Sequence, residues 1–163
     1  MTTTLLGANG KLGSLLAAYA KQNGASWRMQ ARSGIADVIW SGSFDAHNTG
    51  DIFETGGTII NMIGETGPDA AQLQDMNVRF VDDLLSKAAD ARVAHVVLAS
   101  SAAVYGADLG RPFVETDPPS PIKPYGESKA AMEQVALAFS ERKNSPAITI
   151  LRIGNVAGAD ALT

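Results

Sequence analysis

The chain of 163 residues contains no cysteine, which excludes disulfides, thiolate metal sites and cysteine nucleophiles and agrees with a reducing compartment. Histidine is scarce: there are two, His47 and His95, and neither has a second histidine at ligand spacing, so no metal site is expected. No apolar run approaches the roughly 20 residues of a membrane span. The N-terminal stretch "MTTTLLGANGKLG" has no cationic segment ahead of a long apolar one. A soluble, unprocessed, cytoplasmic protein with no membrane partner is the expectation. The 13 Lys and Arg are scattered through a chain of net charge -4, and without a basic stripe a nucleic acid partner is not expected. Repeats, low-complexity tracts and linkers are missing as well.

What is present fits one domain over residues 1–163, with 45% hydrophobic and 18% charged residues. Short runs of Val, Ile and Leu alternate with longer stretches of helical period, the pattern of an α/β protein whose doubly wound parallel sheet carries helices on both faces. Six strands are predicted, at Thr3–Leu6, Trp27–Ala31, Asp37–Trp40, Thr58–Ile63, His95–Ser100 and Ala147–Ile153. Helices are predicted at Lys11–Asn23, Asp69–Ala91 and Tyr125–Lys143, the second carrying the stripe Leu73, Met76, Val81, Leu84 and Leu85. Residues 41–57 are rich in glycine and predict a helical turn at most. The stretch 106–124, "GADLGRPFVETDPPSPIKP", falls between a strand and a helix at the carboxyl edge of the sheet, where such loops border sites. Its acids Glu115 and Asp117, and Glu127 beyond it, read as solvated. Trp27 and Trp40 read as packing residues.

Gly7, Gly10 and Gly13 form G-x-x-G-x-x-G between the first strand and the first helix. In that context the first glycine allows a sharp turn, the second lets backbone approach a pyrophosphate, and the third lets helix and strand pack closely. The phosphates meet the amide end of the helix. A bare glycine turn is the plainer alternative. Dinucleotide sites usually carry an acid at the end of the second strand for the adenosine ribose. Here that place is held by Arg32 and Ser33, which suit a 2′-phosphate and favour NADP over NAD.

Tyr125 and Lys129 stand four residues apart in "PYGESK", so their side chains share one helix face. A free phenol, with a pKa of about 10, is a poor base at neutral pH, but a neighbouring ammonium favours the phenolate and makes proton exchange with a substrate oxygen feasible. Ser100 and Ser101 end the fifth strand, on the ligand side of such a sheet, where Ser101 can donate a hydrogen bond to that oxygen.

Taken together, "GANGKLG", "SSAAVYG", "PYGESK" and "LRIGNVAG" resemble the short-chain dehydrogenase/reductase family, extended subgroup, with its nucleotide-sugar epimerases, dehydratases and reductases. The resemblance implies a Rossmann-type domain holding NAD(P) through Gly7, Asn9, Gly10, Lys11, Leu12 and Gly13, through Arg32 and Ser33, by backbone contact at Ile63 and Gly64, and through Lys129, Ile153 and Asn155. It implies Tyr125 as acid and base, Lys129 on the nicotinamide ribose, Ser101 polarising the substrate oxygen, and Asn77 in support. The implied substrate is a small molecule carrying a carbinol or ketone carbon, with a nucleotide-linked sugar as the first expectation, and the implied assembly is a homodimer through the two long helices. A reductase of non-sugar ketones, or a non-catalytic NADP(H) sensor on the same fold, is the alternative. The sequence departs from the pattern at "NVRFV", at Ala157 in "NVAG", at "NMIGETG" and at "SGSF". Family members continue into a C-terminal substrate lobe, so the expectation is the N-terminal part of a longer architecture, with a minimal relative as the other reading.

Overall fold

The computed structural model describes residues 1–42, 44, 49 and 52–156. His47, Ala157, Gly158 and much of the 41–57 stretch lie outside them. Six strands form one sheet in the order β3-β2-β1-β4-β5-β6. They are β1 (Thr3–Leu6), β2 (Arg28–Ala31), β3 (Val38–Ile39), β4 (Thr58–Asn61), β5 (His95–Ser101) and β6 (Ala147–Ile153). All five pairs are parallel, so every connection is a crossover, and right-handed crossovers place α1 (Lys11–Gln22) on one face and α3 (Phe80–Asp90) and α4 (Pro124–Ser140) on the other. The main core agrees: Phe80, Val81, Leu84, Leu85 and Ala88 of α3 and Met132, Ala136 and Phe139 of α4 pack on Leu6, Ile59, Val96 and Leu98. The chain turns to one side after β1 and to the other at β4, which opens a crevice beyond their carboxyl ends.

The element boundaries follow local chemistry. Pro124 takes the first turn of α4, where its missing N–H costs nothing. That helix closes at Ser140, whose hydroxyl donates to the Leu137 carbonyl at 2.6 Å, short of the expected Lys143. Strand β4 stops at Asn61 and not at Ile63, because the Asn61 side chain accepts the Ile63 N–H at 3.1 Å and turns the chain. Strand β3 is reduced to two residues, with Asp37 outside it accepting the Met29 N–H at 2.7 Å.

The helix expected over 69–91 is continuous but not uniform. Asp69 caps α2 (Ala70–Leu73) by accepting from Ala71 and Gln72 N–H, a π segment occupies Gln74–Arg79, and α3 follows. The π turn carries one extra residue, and in it Asn77 is buried while Met76 is only partly so. The apolar stripe therefore skips Met76. Trp40 is core, packed on Phe44 and Phe80 at 4.9 and 5.8 Å between ring centroids. No described helix is long and apolar enough to cross a membrane.

Candidate active site

The glycine loop is built by close approach. Gly7 has φ +76, a conformation that side-chain-bearing residues resist, and its N–H donates to Gln30 Oε1 at 2.9 Å while Ala8 N–H donates to the Gln30 carbonyl at 2.8 Å. The buried Gln30 amide also donates to the Trp40 carbonyl at 2.8 Å, so one side chain joins the ends of three strands. Gly10 N–H closes the turn on the Gly7 carbonyl at 2.9 Å. Gly13 is buried beneath that carbonyl: a Cβ there would overlap its oxygen and lie 2.8 Å from its carbon. Gly10 is the N-cap of α1, with no side-chain cap and no acid in the first turn, which leaves the positive end of the helix dipole for an anion.

From this loop the crevice runs two ways. One lobe is lined by Gly7, Asn9, Gly10, Gln30, Ala31, Arg32, Ser33, Ser41, Gly42 and Met76. Asn9 Nδ2 donates to the Ser33 carbonyl at 2.8 Å, tying the glycine loop to the end of β2. The other lobe is lined by Leu12, Ala99, Ser100, Ser101, Tyr125, Lys129, Ile153, Gly154 and Val156. Met62, Ile63, Gly64 and Glu65 line both and make the crevice continuous. The Glu65 carboxyl is held below the usual carboxylate range by the Gly67 and Thr66 N–H groups it accepts, at 2.6 and 2.7 Å, with a smaller contribution from the Arg32 charge.

At the far end, Ser101 closes β5 and its hydroxyl accepts the Ala103 N–H at 3.2 Å. A short 3-10 turn follows at Ala102–Tyr105, and α4 lies directly on it: a Cβ at Gly126 would sit 2.5 Å from the Ala103 carbonyl oxygen. That glycine brings Tyr125 to the Ser101 edge of the crevice. Lys129 is 5% exposed, donates to the Ala99 carbonyl at 3.0 Å, and has its ammonium 6.0 Å from the centre of the Tyr125 ring. Burial pushes Lys129 down to about 8, since a desolvated ammonium surrenders its proton more readily.

Asn77 does not line the crevice; it works from behind. Its Nδ2 donates to the Glu65 carbonyl and to Ser128 Oγ, both at 2.9 Å, and its Oδ1 accepts the Glu65 N–H at 2.9 Å. Gly64 fits between it and Lys129, because a Cβ there would lie 3.0 Å from Asn77 Oδ1 and 3.1 Å from Lys129 Nζ. Lys11 and Asn155 are exposed and outside the lining residues, and Gly13 acts through packing.

Sequence reading missed Gln30, Glu65, Ser128, Glu133 and Arg152. Glu133 was reachable from its four-residue spacing to Lys129 and Ser128 from its three-residue spacing to Tyr125; Gln30 was not, since a polar side chain inside a strand announces no partner. Asp117 also differs from the solvated acid expected. Arg111 holds it at 2.6 and 2.9 Å, and with the Val114 N–H at 2.9 Å this brings its carboxyl down to about 2.

The family model described as NAD dependent epimerase/dehydratase family matches residues 3–162. The chain is 37% identical over 101 residues to UDP-glucose 4-epimerase of Lactobacillus helveticus, covering 62% of this chain and 30% of that protein. It is 32% identical over 121 residues to dTDP-D-glucose 4,6-dehydratase of Homo sapiens, covering 70% of this chain and 34% of that protein. Among solved structures, MoeE5 in complex with UDP-glucose and NAD matches with a TM-score of 0.81 and 26% identity over 93% of this chain and 54% of that one. The chain thus spans about a third of the length of these curated relatives and about half of the solved chain.

Proposed function

We propose, from the premise that the chain belongs to the NAD dependent epimerase/dehydratase family, that it binds NAD(P) and provides the proton-transfer residues for redox chemistry at a carbinol or ketone carbon of a nucleotide-linked sugar. The observation that carries this reading is one continuous crevice with the uncapped amide end of α1 in the middle and buried Lys129 beside Tyr125 at one end. The residues fit a dinucleotide. Gly7 and Gly10 leave room for the pyrophosphate, the α1 N-terminus faces its charge, and Arg32 with Ser33 flank the adenosine lobe.

When bound, the nicotinamide supplies the hydride acceptor and donor. The chain's own residues do the rest. Ser101 donates to the substrate oxygen, Tyr125 takes or returns its proton, and the Lys129 ammonium, 6.0 Å from the centre of the Tyr125 ring, would hold the nicotinamide ribose. Asn77 fixes the Gly64–Glu65 backbone and Ser128, and so acts on Lys129 by position. Docking of a second copy along α3 and α4 belongs to the same reading, and sedimentation at micromolar concentration checks it, a monomer counting against it.

Two expectations test this reading. Fluorescence titration is expected to show tighter binding of NADPH than of NADH, and Arg32→Ala to weaken NADPH alone by about tenfold, near the effect of one charge-assisted contact. Equal affinities in the unaltered protein would remove the role given to Arg32. Turnover of UDP-glucose and related sugar nucleotides, followed as kcat/KM against pH, is expected to fall above about pH 8. Lys129, pushed down to about 8 by burial, is charged below that pH and above it loses the positive charge it places beside Tyr125 and the nicotinamide ribose. A profile still rising at about pH 10 contradicts this assignment.

A further inference from the structure

Behind Ser101 and Tyr125, on the α3/α4 face of the sheet, an ion pair between buried Glu133 and partly buried Arg152 joins elements that the crevice alone does not connect. Arg152 of β6 stands beside Ser100 of β5 in the register. Its Nη2 and Nε donate to the Glu133 carboxylate at 2.8 to 3.2 Å, and Glu133 Oε1 also accepts from Ser100 Oγ at 2.5 Å. The other edge of the guanidinium, Nη1, donates to the Tyr105 hydroxyl at 2.9 Å and to the Glu115 carbonyl at 3.1 Å. Tyr105 in turn donates to the Val114 carbonyl at 3.0 Å and stacks on Phe113 at 4.5 Å.

We propose that Arg152 and Glu133 are positioning residues that hold Ser101, the helix carrying Tyr125 and Lys129, and residues 113–115 of the substrate-side loop in one register. The proposal rests on the roles given above to Ser101 and Tyr125. Glu133 lies four residues past Lys129 and shares its helix face, and Ser100 adjoins Ser101, so one carboxylate grips both halves of the proton-transfer site. The same guanidinium grips the loop. Holding α4 on the sheet does not require charge: an apolar pair of similar volume does that at least as well, because buried Glu133 and partly buried Arg152 must be desolvated. A planar fork with donors on two edges supplies direction, which an apolar contact lacks.

The test uses the full chain. Arg152→Lys keeps the charge but cannot reach Glu133, Tyr105 and the Glu115 carbonyl at once. It is expected to fold, to bind NADPH within about twofold of the unaltered protein, and to lose about 10- to 100-fold in kcat on a sugar nucleotide with little change in KM. The double variant Glu133→Leu with Arg152→Met restores packing without the fork. It is expected to melt at or above the temperature of the unaltered chain and to stay slow; recovery of kcat together with stability overturns the proposal and leaves a structural pair only. A second readout needs no turnover, so it separates this proposal from failure of the proposed function. The chain has three tyrosines, Tyr19, Tyr105 and Tyr125, and fluorotyrosine labelling gives each one a fluorine NMR resonance. In Arg152→Lys the Tyr125 resonance is expected to shift or broaden while that of exposed Tyr19 stays in place. A Tyr125 resonance unchanged in Arg152→Lys overturns the proposal.

Discussion

Replacing Tyr125 by Phe is expected to lower kcat on a sugar nucleotide by about 100- to 10,000-fold, the range of one positioned acid-base group, with NADPH affinity within about twofold. The phenyl ring keeps the contact with the Lys129 ammonium, 6.0 Å from its centre, and the Tyr125 carbonyl still accepts from Ser128 Oγ at 2.8 Å. Only the hydroxyl goes. Because the ring is partly buried against the end of β5, the substitution opens no large cavity, and loss of activity with retained binding reads as loss of proton transfer. A protein that binds NADPH and keeps its biological activity as Tyr125→Phe is instead a cofactor sensor, and the catalytic reading fails.

The second large effect is on the fold. Gly13→Ala places a Cβ on the Gly7 carbonyl oxygen, with the carbonyl carbon at 2.8 Å and Ala8 Cα at 3.1 Å. All three are backbone atoms, so no rotamer change relieves the overlap and α1 must move away from β1. Overpacking usually costs about 1–3 kcal/mol, and this case belongs at or above the top of that range, a fall in Tm of about 6–12 °C for a domain of this size. The same shift moves the first turn of α1 out of the crevice, and dinucleotide binding is expected to go with it. Gly24→Ala is the control. Gly24 has φ +69 but nothing within 4 Å of an added Cβ, so it carries only the left-handed backbone cost of about 1–2 kcal/mol. Thermal melts of the two variants check this, and equal Tm values would contradict the close approach.

Much of this architecture is legible in the sequence for definite reasons. A strand inside a parallel sheet, buried on one face and partly covered on the other, shows as a short run of Val, Ile and Leu, and Ile59–Ile60 in "TIIN" and Val96–Leu98 in "HVVLASS" are such runs. The glycine loop shows itself because Gly7 and Gly13 occupy positions no side chain tolerates, and Tyr125 and Lys129 because helical spacing joins them. Three features lay beyond that kind of reading. The π segment at Gln74–Arg79 shifts the buried face by one residue, from Met76 to Asn77, and no propensity marks it. Gln30 finds its partners 10 and 23 residues away. Arg152 meets Glu133 only after β6 has been laid beside β5, so the pair exists in tertiary space alone.

The strand order also governs when the molecule can become itself during synthesis. Strand β1 lies inside the sheet, between β2 and β4, yet it leaves the ribosome before every partner. Its inner neighbour begins at Thr58, roughly 50 residues later, which at about 5–20 residues per second leaves Leu5 and Leu6 half-covered for about 3–10 s. Strand β5 then waits for α4 to be completed before β6 can reach it. For that interval the nascent chain offers two of its most buried leucines to whatever else the cell contains, and how fast it is translated decides how long.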